Sequence, residues 1–353
     1  GYSGGTTIKA GTVQISTSGS ALGTGTVTLG DTSGSNAATL LVSSTGLTVA
    51  NAISLATGTS GTLTVGSTGD IASVTYSGGV TGTNNLTIAN TTSTALTFST
   101  ASINNAGTVT NTGAGAGTTT VSGGIGSYVT TVTQSSSTSP LTISGAVVMN
   151  GVGVTKSLIN GSTALLTVSG GTSGTGTVVL LNHAASTSGI TVSGTAVNHT
   201  GSLTSSGSGS GSVLVSAQVG SNVTGVTQNS ATSMLVLSGD NTYTSDTTIS
   251  AGTLRITSNT GLGTTAGRTI VNSGTTLDLY SVTVGAEPVT LAGGTIKDVT
   301  SSLSGNITLT ANSTVSATNA DDVLTLSGVI SESGGSFGLT KTGAGTVVFS
   351  GVN

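Results

Sequence analysis

Leu141-Thr142-Ile143-Ser144-Gly145, Leu166-Thr167-Val168-Ser169-Gly170 and Ile190-Thr191-Val192-Ser193-Gly194 share one pattern: aliphatic residues alternate with hydroxyl residues, and the run stops at glycine. Period-2 alternation puts the aliphatic side chains on one face of a strand and the hydroxyls on the other. β-branched Thr, Val and Ile suit such a half-buried pleated surface. Glycine after the strand permits the positive φ of a corner. Each stretch therefore predicts a short strand followed by a bend.

The spacing of these strands carries the fold. Related segments begin at Val74, Leu96, Thr119, Leu141, Leu166, Ile190, Val213 and Leu235, in steps of 22, 23, 22, 25, 24, 23 and 22 residues. The signature returns at Leu324 and Val347. A steady period of this size marks a solenoid, an array or a propeller, and a propeller blade takes about twice as many residues. One period fits one coil of three short strands. A longer repeat agrees with the short one: Asn104 to Gly145 aligns without a gap with Asn198 to Gly239 at an offset of 94 residues, about half of the positions being identical. That offset is four coils. The fold class predicted is all-β, a right-handed parallel β-helix (β-solenoid) of about 15 coils of 22–25 residues, continuous over residues 1–353. Its handedness follows from the general crossover rule, and at ~4.8 Å per coil it would be ~70 Å long. The third residue of each signature should face inward, so Val121, Ile143, Val168, Val192, Val215 and Leu237 form one aliphatic column.

Composition agrees and narrows the function. Charged residues are 5% of the chain, and from 71 to 239 the only one is Lys156. Disordered segments pair low hydrophobicity with high net charge; here an apolar third of the chain is spread evenly and must be buried. Six Lys plus Arg, five Tyr, three Phe and no Trp make no basic stripe with stacking aromatics, so nucleic acid is not an expected partner. Without Cys there is no disulfide framework and no thiolate metal site. The opening Gly1-Tyr2-Ser3-Gly4-Gly5 has no signal-peptide pattern. No apolar run approaches the ~20 residues of a membrane span.

Two stretches, SGDNTYTSDTTISAGTLRI at 238–256 and GLTKTGAGTVVFSGVN at 338–353 with LTLSGVI at 324–330 before it, resemble the autotransporter-associated β-strand repeat, also called the passenger-associated transport repeat. The resemblance implies a parallel β-helix passenger exported to a bacterial surface, usually within a very large adhesin-like protein, and carries no catalytic residues. Asp246 stands where the family usually has Gly, and residues 1–353 include no stretch that reads as the family's C-terminal membrane barrel. Written end to start, residues 350–353 and 1–13 continue the motif: Asn353 falls on Asn241, Tyr2 on Tyr243 and Ile8 on Ile249. Two arrangements would satisfy this continuity: separate copies joining head to tail, residues 1–13 meeting 338–353, or one period of a much longer chain; surface glycans or matrix are a further expected partner class.

The chemistry-bearing residues are few, and no catalytic, cofactor or metal site is expected among them. His183 and His199, 16 residues apart, should not stack in a coil of 22–25 residues and are expected in surface turns. Asp321-Asp322 and Lys297-Asp298 are the densest charge clusters and are expected in solvated loops; Ca²⁺ would need six to eight oxygens. Asp240, Asp246, Asp278 and Glu287 show no spacing that pairs carboxylates for glycoside chemistry. Gly113-Ala114-Gly115-Ala116-Gly117 lacks the lysine and following helix of a phosphate loop and predicts a turn. Threonine-rich runs suggest an ordered hydroxyl face, as in ice binding, but the repeat does not offer Thr-x-Thr in every coil. The expected function is a structural or adhesive extracellular solenoid without enzymatic activity. If loops bind a ligand, residues 278–300, with Tyr280, Glu287, Pro288, Lys297 and Asp298, are the candidate region.

Overall fold

The computed structural model describes residues 1–185 and 188–352, and these residues form strands, turns and bends with no helix. It contains two compact units, Gly1–Gly176 with His183–Ile190, and Thr177–Asn182 with Thr191–Asn353. Each is a parallel β-solenoid with three faces.

In the first unit, one face is a ladder of seven strands running in order from Gly11–Ile15 through Ala38–Val42 and Leu86–Asn90 to Thr155–Asn160. A second face holds six, from Thr48–Val49 to Leu166–Val168. The third starts as Thr6–Ile8, Val27–Leu29, Ile53–Leu55 and Val80–Gly82, then thins to single bridges through Ile103, Ile125 and Val147. The second unit repeats the plan. Eight strands run from Thr177–Asn182 to Ile330–Glu332, seven from Ser212–Val215 to Leu339–Thr342, and four from Thr283–Val284 to Thr346–Phe349. Seven and eight strands on the first faces match the about fifteen turns that the spacing predicts.

The inward column lies where alternation puts it. Val121 pairs with Ile143 and Ile143 with Val168 in one unit. Val215 pairs with Leu237 and Leu237 with Ile256 in the other. These residues and Val192 are each 2% exposed or less. Two aromatics join the same face of the first unit, Tyr76 stacking on Phe98 with ring centroids 5.4 Å apart. The Tyr76 hydroxyl donates to the Gly66 carbonyl at 2.8 Å, since a buried phenol needs an acceptor.

Outward, the threonines are better ordered than the sequence suggested. Thr12, Thr39, Thr64, Thr87, Thr110 and Thr133 stand at one register in six consecutive coils. Thr48, Thr75, Thr97, Thr120, Thr142 and Thr167 do the same on the second face. Each is a single file: beside the first, the outward column runs Gln14, Leu41, Gly66 and varies freely.

A second buried column is polar. Asn111, Gln134 and Asn160 follow one another at one register in the core. Asn111 Nδ2 donates to Gln134 Oε1 at 2.7 Å and to the Ser139 carbonyl at 2.9 Å, while Gln134 Nε2 donates to the carbonyls of Ser136 and Ser139 at 2.9 and 2.8 Å. These amides sit at a corner, where the chain leaves one face for the next and ladder bonds stop. They supply donors to carbonyls that would otherwise be buried unpaired at about 1–3 kcal/mol each. The 94-residue repeat reproduces this in the second unit: Gln228 Nε2 donates to the carbonyls of Ser230 and Ser233 at 2.9 and 2.8 Å. Register shifts at Gly107 and Gly201 also correspond.

The corner glycines serve a different need from the one expected. Gly194 has φ +71°, but Gly145 and Gly170 are not in the left-handed region. A Cβ on Gly170 would lie 2.1 Å from the Gly145 carbonyl oxygen. Close stacking of corner on corner, not left-handed backbone, excludes a side chain there. On the outermost described coil of the second unit the same signature, returning at Val347, is less covered: Val347 is half-buried and Phe349 is 47% exposed.

Val192→Asp should destabilise the protein by several kcal/mol, as an uncompensated buried charge does, while Thr191→Asp should be tolerated, read by chemical denaturation. Gly170→Ala should cost about 1–3 kcal/mol by forcing the stacked corners apart, whereas Gly274→Ala should act only through its φ of +73°, since no atom lies within 4 Å of its would-be Cβ.

Candidate functional site

Ionisable side chains take positions that the sequence did not reveal. Lys297 and Asp298 belong to the strand Thr295–Val299, not to a solvated loop, and consecutive strand residues point to opposite faces. Lys297 points out, in register with Asp278, which is in register with Arg255. Arg255 Nη2 lies 2.8 Å and Lys297 Nζ 3.7 Å from Asp278 Oδ2, so two cations roof a carboxylate that is 1% exposed. The Arg255 guanidinium also rests 4.6 Å above the Tyr280 ring. Asp298 points in, between Leu279 and Ala317, with no exposure and with neither carboxylate oxygen accepting a hydrogen bond. Burial, partly offset by the nearby polar groups of Ser301 and reinforced by repulsion from Asp322 and Asp278, pushes its carboxyl up to about 6.

Of the other candidates, Asp321 is exposed, and Asp322 is buried, its Oδ2 accepting from the Asn319 backbone N–H at 2.7 Å and from Asn319 Nδ2 at 2.9 Å. This pair closes its own loop. Asp246 pairs with Arg268 at 3.2 Å on the surface. His183 is exposed as expected, but His199 is buried, its Nε2 3.0 Å from the Ser202 carbonyl, and burial pushes the imidazole pKa down. Lys156 is also buried. Its ammonium donates to the carbonyls of Gly126 and Val129, and desolvation lowers its pKa to about 8. Gly115 and Gly117 donate their N–H groups to Asn90 and Thr92 of the preceding coil at 3.0 and 2.9 Å, as a stacked turn does. Among the described residues no three His, Cys, Asp or Glu side chains gather to hold a metal ion, and no helix is long and apolar enough to cross a membrane.

The residues that do converge are mostly neutral. In the second unit, corners of successive coils form a groove centred on Asn259. On one side lies an open polar stretch of about 650 Å³ lined by Gln218, Asp240, Ser258 and Thr260. Another stretch of about 470 Å³ is walled by Ser281, Thr283, Thr300 and Ser302. Between coils, a more enclosed pocket of about 380 Å³ has Leu262 and Val284 in its floor and Glu287 in its wall. Ser281 and Thr300 hold φ of +54° and +49°. For a β-branched residue the left-handed region is an outlier, and such strain collects at functional sites. Asn259 Oδ1 accepts the Thr283 N–H at 2.7 Å, which fixes the amide across two coils. Glu287 is 4% exposed, its Oε1 accepting from Thr269 Oγ1 at 2.8 Å. Burial pushes its carboxyl up to about 7, with a smaller contribution from Asp246. Tyr280 and Glu287, singled out in the sequence, are thus close to or part of this groove. Asn259, which joins its three parts, gave no signal, because its partners lie one coil away.

The model of the passenger-associated-transport-repeat matches residues 1–15, 232–256 and 339–353. Comparison with the curated proteins and with the solved structures finds no match.

Asp298 and Glu287 set an expected pH dependence. Both carboxyls titrate higher when folded than when exposed, so their burial is fully tolerated below about pH 4, where both states are protonated. Stability is then lost as pH rises through about 6 for Asp298 and about 7 for Glu287. Denaturation midpoints measured between pH 4 and 8 should fall across this window, and Asp298→Asn should flatten the part below about pH 6.

Proposed function

Because the chain carries the passenger-associated transport repeat at three places and folds as parallel β-solenoid units, we propose that it is a structural segment of an exported bacterial passenger, displayed outside the cell as part of a surface fibre or giant surface protein. The repeat family is one of autotransporter passengers, which implies secretion or surface export. The observation that carries this reading is the ladder: coil after coil pairs in register over an aliphatic column, an arrangement that gives length and stiffness without a charged surface. Such a role asks nothing of a reactive side chain.

On this reading, copies join head to tail. The strand Gly11–Ile15 pairs on one side only, as do Leu339–Thr342 and Thr346–Phe349. Unpaired edges are templates for further strands. Beside the latter, Leu309, Val315, Ile330, Leu339 and Phe349 line an apolar hollow of about 460 Å³. The repeat match covers both 1–15 and 339–353, so a second copy placing its first coil there would continue the motif. Asn353, which completes the motif in sequence, lies outside the described residues. Such a contact is heterologous, and a heterologous contact whose rotation does not close generates fibres.

A second reading is favoured by the groove around Asn259, whose strained wall and mixed donors and acceptors suit a ligand: the passenger adheres to glycans or matrix through this face.

Purified protein viewed by electron microscopy over a range of concentrations should form filaments one solenoid wide, and Phe349→Lys should shorten or abolish them. Discrete particles at every concentration would overturn the head-to-tail assembly. Antibody raised to the chain should label intact cells, and a purely intracellular signal would overturn the surface role.

A further inference from the structure

The enclosed pocket beside Asn259 differs in kind from the open stretches it joins. Its floor is apolar: Leu262 and Val284 are each 3% exposed and lie under a rim of amide, hydroxyl and carboxyl groups. The pocket and the open stretch share Asn241, Thr242, Asn259 and Thr260, so a molecule seated in one extends into the other. At about 380 Å³ the pocket is within the range of small-molecule sites, which pair apolar walls with a few placed polar groups.

The rim chemistry restricts the ligand. No Lys, Arg or His lines the pocket or either open stretch, so nothing there repays the desolvation of a phosphate, sulfate or carboxylate. The polar groups present both donate and accept. Asn259 keeps its Oδ1 on the Thr283 N–H, which leaves its Nδ2 as the donor at the junction. Thr264 Oγ1, in the pocket wall, is buried with no hydrogen-bond partner. Asp240 Oδ1, at the mouth, already accepts from Ser258 and Thr260 at 2.7 and 3.2 Å, and so presents these hydroxyls in fixed orientation. Asn241 is committed to the fold, accepting from the Val219 N–H at 2.8 Å and donating to the Gly261 carbonyl at 2.7 Å.

From this geometry we infer that the pocket is a subsite for one ring of an uncharged oligosaccharide, with the neighbouring sugars lying along the open groove. A pyranose has an apolar C–H face, which the Leu262 and Val284 floor accepts, and a girdle of hydroxyls that donate and accept at once. Thr264 Oγ1 and Glu287 meet that girdle from the wall, and Asn259 Nδ2 meets the glycosidic link or the next ring at the mouth. The groove's length along successive coils suits a chain rather than a single sugar. The inference rests on the ligand-binding reading above and specifies its site and ligand class.

Gly285 provides a test that leaves the fold alone. It lines the pocket, its φ is not in the left-handed region, and a Cβ there would meet no atom within 4 Å. Gly285→Leu therefore fills the pocket without straining the coil, and unchanged melting temperature would verify this. Ligand-observed NMR and calorimetry with cellotriose, chitotriose and maltotriose should show saturable binding of at least one by the unaltered chain. Gly285→Leu should abolish it, and Asn259→Ala should weaken it about tenfold or more. Preference for a sulfated oligosaccharide, or binding unchanged by Gly285→Leu, would overturn the inference. In parallel, adsorption of the chain to matrix-protein films separates the two claims. Film binding without oligosaccharide binding sinks this subsite and keeps adhesion, whereas neither kind of binding sinks both.

Discussion

Register between stacked coils is the constraint on which everything else here depends. In a parallel solenoid the neighbour that matters to a residue is the one a full coil away, because the backbone ladder holds the two side by side. Whatever is placed inward is therefore placed on a column. Aliphatic columns close-pack and exclude water. A polar residue in the core is tolerable only if the coil next to it supplies a partner, as Asn111 and Gln134 do for each other and for the corner carbonyls. A buried unpaired polar group costs more than a hydrogen bond gains, so the amide ladder needs each corner to keep its own side-chain donor.

The same constraint organises charge. Arg255, Asp278 and Lys297 form an outward column with an anion between two cations, three coils deep. Asp298 shows what happens on the other face, where the charges acting on it are the carboxylates of Asp322 and Asp278 and only the polar groups of Ser301 offset its burial. The hydroxyl files thus belong to the first unit, whereas the second carries most of the charged side chains, some paired on its surface and some buried. At the stacked corners of Ser281 and Thr300 the backbone is strained in the same way in both coils, and the surface opens into a pocket there. A ladder that is regular everywhere would present only flat files of threonine.

Much of this was legible in the amino-acid order. Alternation in Leu166-Thr167-Val168 marks inward and outward faces, the steps between such segments mark the coil, and Asn104 to Gly145 recurring at Asn198 marks the four-coil unit. What was not legible depends on the coil above or below. Lys297-Asp298 looks like a solvated pair to a reader moving along the chain, and becomes one outward and one inward residue only when register is known. Gly145 and Gly170 look like left-handed corners but are glycines because another corner lies against them. The threonine files and the Asn259 groove are likewise assembled from single residues one coil apart in sequence. Phe349 follows the inward rule locally, yet it stands half exposed on an outermost coil.

The 94-residue correspondence has a consequence for how such a chain changes length. Gln134 and Gln228 make the same bonds to the same two corner positions, and the irregularity at Gly107 recurs at Gly201. A gain or loss of one residue within a strand turns its whole inward set outward, and a partial coil leaves its amide donor without a corner to serve. Copying whole coils does neither, since each copied residue meets the type of neighbour that it had before. Genetic duplication is thus quantised: tracts enter or leave in full turns, each carrying its own core and corner chemistry, and the extended chain requires no compensating substitutions elsewhere.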